Sequence, residues 1–144
     1  MVKILFLCHG NICRSPMAEF VMKDLVAKAG RSGEFEIASA AVSREELGCD
    51  IYPPVRRVLK EHGVAFSPRR ARLVSAGDIA YYDRIYYMDS RNASYLRRLF
   101  GNAAEKCQPL LPRDVADPYY SGDFTQTWED IVAGCRRILE ECTC

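Results

Sequence analysis

The sequence predicts an α/β fold: a single domain, residues 1–144, built on a four-stranded parallel sheet flanked by helices on both faces. Three observations lead there. Short apolar runs alternate along the chain with stretches of helical periodicity. No repeat, low-complexity tract or linker interrupts that alternation, and 144 residues suit one compact domain. The loop after the first apolar run is rich in backbone donors and opens directly into a helix, so a phosphate-binding loop is expected after strand 1.

Taken in order, Val2-Lys3-Ile4-Leu5-Phe6-Leu7 reads as a buried strand. Pro16 to Ala29 reads as a helix, with Pro16 in the first turn, where its missing N–H is not needed, and Gly30 as the stop. Phe35 to Ala40 is a second strand, and Pro54 to His62 a helix ending at Gly63. Arg84 to Met88 is a third strand, Ser90 to Phe100 a helix ending at Gly101, and a short fourth strand lies near Cys107 to Leu111. In the last helix Trp128, Ile131, Val132, Cys135, Ile138, Leu139 and Cys142 fall on one face. Asp123 with Gln126 reads as a capping box at its start. Strands alternating with helices imply right-handed crossovers and a sheet covered on both faces. Ligands in such folds bind beyond the carboxyl ends of the strands, where strand order reverses.

Composition narrows the function. Apolar residues make up 49 % of the chain, enough for a core that needs no staples. The net charge is +1, and the 15 arginines and 5 lysines are scattered, so neither nucleic acid nor an acidic membrane is an expected partner. The apolar run at Met1 to Leu7 is interrupted by Lys3 and too short for a signal-peptide core or a membrane span, so a cytoplasmic location is expected. Seven cysteines without a secretory context do not suggest a disulfide framework. With only His9 and His62 and no C-x-x-C pair, no metal site is expected.

The chemistry concentrates in Cys8-His9-Gly10-Asn11-Ile12-Cys13-Arg14-Ser15-Pro16. A cysteine six residues before an arginine is a poor signal alone: Cys107 and Arg113 share that spacing. There, however, Pro109 and Pro112 remove backbone donors, and a loop short of donors cannot wrap a phosphate. The first loop has no proline between Cys8 and Arg14. Gly10 is expected to supply a turn forbidden to other residues, letting successive N–H groups converge as an anion nest. The positive end of the following helix faces the same spot, and Arg14 can fork two N–H donors onto a phosphoryl group. This field favours a thiolate nucleophile at Cys8, to which Ser15 can donate a hydrogen bond. Asn11 can hold the loop through side-chain to backbone bonds. The bland alternative, that a cysteine after a strand is merely a small core residue, stands for Cys49, Cys107, Cys135 and Cys142.

The run C-H-G-N-I-C-R-S-P-M-A-E resembles the signature loop of the low-molecular-weight protein tyrosine phosphatases. Ser39-Ala40-Ala41-Val42-Ser43, Ala71-Arg72, Met88-Asp89 with Asn92, and Asp117-Pro118-Tyr119-Tyr120 extend the likeness over essentially the whole chain. The resemblance implies a metal-independent, cofactor-free phosphotyrosine-protein phosphatase working through a phosphocysteine at Cys8. Asp117 would be general acid for the leaving phenolate and then base for water. Without the resemblance, Asp117-Pro118 would read only as a turn start. Expected partners are phosphotyrosine-containing proteins or peptides, with inorganic phosphate as product and competitive ligand, and a monomer is expected.

The loop residues His9, Gly10, Asn11, Ile12, Cys13 and Ser15 would line the phosphate, and Ile12, Glu45, Tyr119 and Tyr120 the substrate pocket, with the tyrosines walling a slot for a phenyl ring. Cys13 would trap oxidised Cys8 as a disulfide. Two departures stand out. Glu45 replaces a rim aromatic of several relatives and should favour basic flanking residues; Arg69 stands where many relatives carry histidine, either paired with Asp89 behind the loop or simply on the surface. Three rivals remain in view: a phosphoarginine phosphatase, which tends to carry Thr at the position of Ile12; an arsenate reductase relaying through Cys135 and Cys142; and a non-catalytic phosphotyrosine-binding module.

Overall fold

The computed structural model describes residues 1–142. The strands are β1 (Val2–Cys8), β2 (Phe35–Ala41), β3 (Arg84–Tyr87) and β4 (Cys107–Pro109). The helices are α1 (Arg14–Lys28), α2 (Pro53–Glu61), α3 (Ala76–Tyr81), α4 (Ser90–Phe100), α5 (Pro118–Ser121) and α6 (Phe124–Glu141), with 3-10 turns at Ser32–Glu34 and Gly101–Lys106. All strand pairs are parallel, in the order β2-β1-β3-β4. The chain steps from β1 outward to β2 and then returns to β3 on β1's other side. The carboxyl end of β1 is therefore the switch point, and Cys8 ends that strand opposite Ala41.

β1 carries no apolar alternation because both its faces are covered. Ile4 and Phe6 join a core with Met17, Met22, Ile131 and Ile138, while Leu5 and Leu7 join a second with Val74, Ile79, Ile85 and Leu96. Ile4 to Leu7 are all 0 % exposed. The face predicted for the last helix packs as expected: Ile131, Cys135 and Ile138 lie in the first core, with Trp128, Val132, Leu139 and Cys142 against it. α6 approaches the exit of β4 so closely that a Cβ on Gly134 would lie 2.5 Å from Leu110 Cγ.

Several local expectations change. α1 begins at Arg14 rather than Pro16, its first bond running from the Met17 N–H to the Cys13 carbonyl at 3.1 Å, which puts Arg14 and Ser15 inside the first turn. α3 was not anticipated: six residues carry too short an apolar stripe, although Ser75 and Asp78 cap its start reciprocally. Asp123 caps α6 by accepting the Gln126 N–H at 3.0 Å, but the Gln126 amide donates to Asp130 at 2.9 Å instead of closing the box. Among the described residues, no helix is long and apolar enough to cross a membrane.

Candidate active site

β1 delivers Cys8 to the mouth of the sheet, and the loop that follows wraps back into α1. The residue in the left-handed region is Asn11, at φ 59°, not Gly10. The requirement at Gly10 is space: a Cβ there would come within 3.0 Å of Glu46 Cγ. Asn11 is fully buried and uses its whole amide. Its Oδ1 accepts from the Arg69 guanidinium and from the Arg72 N–H at 3.3 Å. Because both partners only donate, the amide orientation is determined, and Nδ2 donates to Ser15 Oγ at 2.8 Å and Ser39 Oγ at 2.9 Å. The Ser39 hydroxyl in turn donates to Glu19 Oε1 at 2.6 Å. Ser15 Oγ, already an acceptor, keeps one proton to give. Cys8 Sγ lies 3.1 Å away and the Ala40 carbonyl 3.5 Å, so the better-placed acceptor is the sulfur. Asn11 and Ser15 thus sit beneath the loop rather than on its open face.

Arg14 is 1 % exposed. Its Nη1 donates to Asp89 Oδ2 at 2.6 Å and to the Val115 carbonyl at 2.8 Å, and its Nη2 to Asp117 Oδ2 at 3.3 Å. Burial opposes its charge, but Cys8, Asp117 and Asp89 outweigh this and hold the guanidinium pKa above its ordinary value. Its Nε is buried without a hydrogen-bond partner among the described residues. Asp89 therefore belongs to Arg14, and Arg69 follows neither of the two readings left open for it, the Asp89 pair or a plain surface position, since its guanidinium donates to Asn11. Asp117 caps the short α5, its Oδ1 accepting the Tyr119 N–H at 3.1 Å, which ties the carboxylate to the two tyrosines that follow.

One pocket gathers Cys8, His9, Gly10, Ile12, Cys13, Arg14, Glu45, Asp117, Tyr119 and Tyr120, which is every predicted site residue except the two beneath the loop, and adds Glu46. The His9 side chain turns aside, its Nε2 2.8 Å from Glu45 and 3.3 Å from Ser43 Oγ. Tyr119 packs against Tyr52, centroids 5.3 Å apart, while Tyr120 is 72 % exposed. Cys13 is buried at the loop's end, and burial, followed by the nearby Cys8 and Asp117, pushes its thiol pKa up despite Arg14. The other loop of the same spacing is disqualified here too, since Arg113 is spent on Asp130 at 2.7 and 3.0 Å. Cys135 is fully buried in the core, where desolvation pushes its thiol up, contrary to a relay role.

Sequence reasoning gave no role to Glu46 or Tyr52, and offered Asp89 only as one possible partner for Arg69. For Asp89 a signal existed: Asp89 and Asn92 cap α4 reciprocally, which marks a helix start just past β3, on the ligand side of the sheet.

The family model described as low molecular weight phosphotyrosine protein phosphatase matches residues 3–143. The low molecular weight protein-tyrosine-phosphatase YfkJ of Bacillus subtilis is 36 % identical over 147 residues, covering 96 % of this chain and 94 % of that protein. The crystal structure of YfkJ superposes with a TM-score of 0.93 over 98 % of this chain and 94 % of that one. The low molecular weight protein tyrosine phosphatase of Streptococcus pyogenes also gives 0.93, at 33 % identity over 100 % and 95 % of the two chains. The human low molecular weight phosphotyrosine protein phosphatase is 35 % identical over 96 % of this chain and 94 % of its own. With a match this complete, the chain belongs to the low molecular weight phosphotyrosine protein phosphatase family.

Proposed function

We propose that the protein hydrolyses phosphotyrosine in proteins or peptides through a phosphocysteine on Cys8. The observation that carries this reading is the meeting of Cys8, Asp117 and a buried Arg14 with an unpartnered Nε in one tyrosine-walled pocket. The Arg14 guanidinium and the loop N–H groups hold the phosphoryl oxygens. Cys8 Sγ attacks phosphorus as the bond to the tyrosine oxygen breaks, and Asp117 gives its proton to the leaving phenolate. Water then attacks the phosphocysteine, Asp117 takes the water's proton, and the S–P bond breaks to release inorganic phosphate and the Cys8 thiolate. The Ser15 hydroxyl stabilises that thiolate as attacking and leaving group. Ile12, 9 % exposed, offers no hydroxyl, and the tyrosine walls suit an aromatic ring better than a phosphoarginine.

The test is Cys8→Ser. Turnover of an aryl phosphate should vanish while phosphate or vanadate binding survives, because the donors remain. Acid-quenched wild type should carry a phosphate on Cys8, and the variant none. Appreciable turnover by the variant would sink the assignment. The wild type should also hydrolyse phosphotyrosine peptides well ahead of phosphoarginine peptides.

A further inference from the structure

The mouth of the pocket is electrically two-sided. On one side stand Glu45 and Glu46. Glu45 is paired with His9 at 2.8 Å, but Glu46 has no cation within ion-pair distance among the described residues, only the Cys49 thiol 3.7 Å from Oε2. On the other side a second cleft shares His9, Arg14, Asp117 and Tyr120 with the first and adds Asp89, Arg91 and Asn92.

Arg91 is the second residue of α4, exposed and without an ion-pair partner among the described residues. A cation in a first turn works against the helix dipole, which favours acidic groups there. The nearby carboxylates do not relieve it. Asp89 is taken by Arg14 and the Asn92 N–H, and Asp114 by the N–H and hydroxyl of Ser90. Asn92 adds an independent observation in the same cleft. It is 1 % exposed, its Oδ1 accepts the N–H groups of Met88 and Asp89, and its Nδ2 is buried with no partner. A buried amide donor left unpaired is unfavourable, and Arg91 beside it is the exposed cation that a carboxylate entering the cleft would meet.

We propose that the mouth reads the charge order of the residues flanking the phosphotyrosine, the Glu45–Glu46 lip taking a basic neighbour and the Arg91–Asn92 cleft an acidic one. The proposal rests on the phosphotyrosine reading above. Tyr120 lines both clefts, so a ring held against it leaves one flank of an extended peptide over the acidic lip and the other over Arg91.

The experiment uses two peptides, Lys-Lys-phosphotyrosine-Glu-Glu and Glu-Glu-phosphotyrosine-Lys-Lys. Their composition and net charge are identical, so long-range steering is the same for both and only local order differs. At low ionic strength the wild type should prefer one peptide in kcat/KM by roughly three- to tenfold, since each exposed pair contributes a factor of about 1.5 to 5. Arg91→Gln should shrink the ratio, and Arg91→Glu combined with Glu46→Lys should invert it. In about 0.5 M salt the wild-type ratio should fall toward one. Equal kcat/KM for the two peptides, or a ratio unchanged in the double variant, overturns the inference and leaves the phosphotyrosine reading standing. Failure to hydrolyse either peptide sinks that reading itself, and the inference with it.

Discussion

Asp89 joins two jobs that mutation can separate. Its Oδ1 accepts the Asn92 N–H at 2.9 Å and caps α4; its Oδ2 accepts from Arg14 Nη1 at 2.6 Å. Serine is as good an N-cap as aspartate but carries no charge and is too short to hold the guanidinium. Asp89→Ser should therefore keep the cap and lose the ion pair, whereas Asp89→Ala loses both. Arg14 would retain Val115 O at 2.8 Å and Asp117 at 3.3 Å, so the roughly 3–5 kcal/mol of a stranded buried charge does not apply in full. The relevant magnitude is one charge-assisted hydrogen bond, about 1.5–3 kcal/mol, which translates to a loss of roughly ten- to 150-fold in kcat/KM for an aryl phosphate. Both variants should show that loss. In urea denaturation Asp89→Ser should be more stable than Asp89→Ala by about 1 kcal/mol, the usual worth of an N-cap. If Asp89→Ser keeps kcat/KM within about twofold of wild type, Asp89 is a helix cap and nothing more, and the reasoning about Arg14 fails.

Three further outcomes are expected. Asp117→Asn should slow aryl phosphate hydrolysis by about 10²–10⁴-fold, with a smaller loss for leaving groups that need no proton; an equal loss for all of them would count against Asp117 as the acid. Cys13 is 3 % exposed and its thiol pKa is raised by burial, so it is a poor target for peroxide in its own right. Peroxide should inactivate the wild type reversibly as oxidised Cys8 is trapped by Cys13, while Cys13→Ser, active when reduced, should lose more activity irreversibly; equal recovery with thiol reductant in both proteins rules that protection out. Gly134→Ala should lower stability by about 1–3 kcal/mol through overpacking, even though alanine is the better helix former, because the new Cβ would lie 2.5 Å from the buried Leu110 side chain. A variant as stable as the wild type in urea would show that Leu110 moves aside.

The candidate phosphate loop was legible as a candidate because its chemistry is contiguous. Cys8, Arg14 and Ser15 follow a strand and open a helix, and a donor-rich run without proline announces itself locally. The sheet and its main helices were legible for the same reason, since apolar period and Gly or Pro punctuation are local signals. Asp117 lies 103 residues from the Arg14 it touches, and a bare Asp-Pro carries no catalytic mark; only the resemblance singled it out.

What only the tertiary structure decided are the partnerships. Sequence reasoning assigned the special backbone to Gly10, but Asn11 adopts the left-handed conformation, because both ends of its amide are held by groups arriving from distant parts of the chain. Asp89 could not be assigned to Arg14 rather than Arg69 from spacing alone, and only the packed geometry sets Arg14 on Asp89 at the pocket and Arg69 on Asn11 beneath the loop. Glu46 and Arg91 line neighbouring clefts that share His9, Arg14, Asp117 and Tyr120 because β1 lies between β2 and β3, so the loops after β2 and β3 flank the loop after β1. Residues that meet only by folding leave no periodicity or spacing in the chain, and their chemistry exists only once the sheet has set the order of its strands.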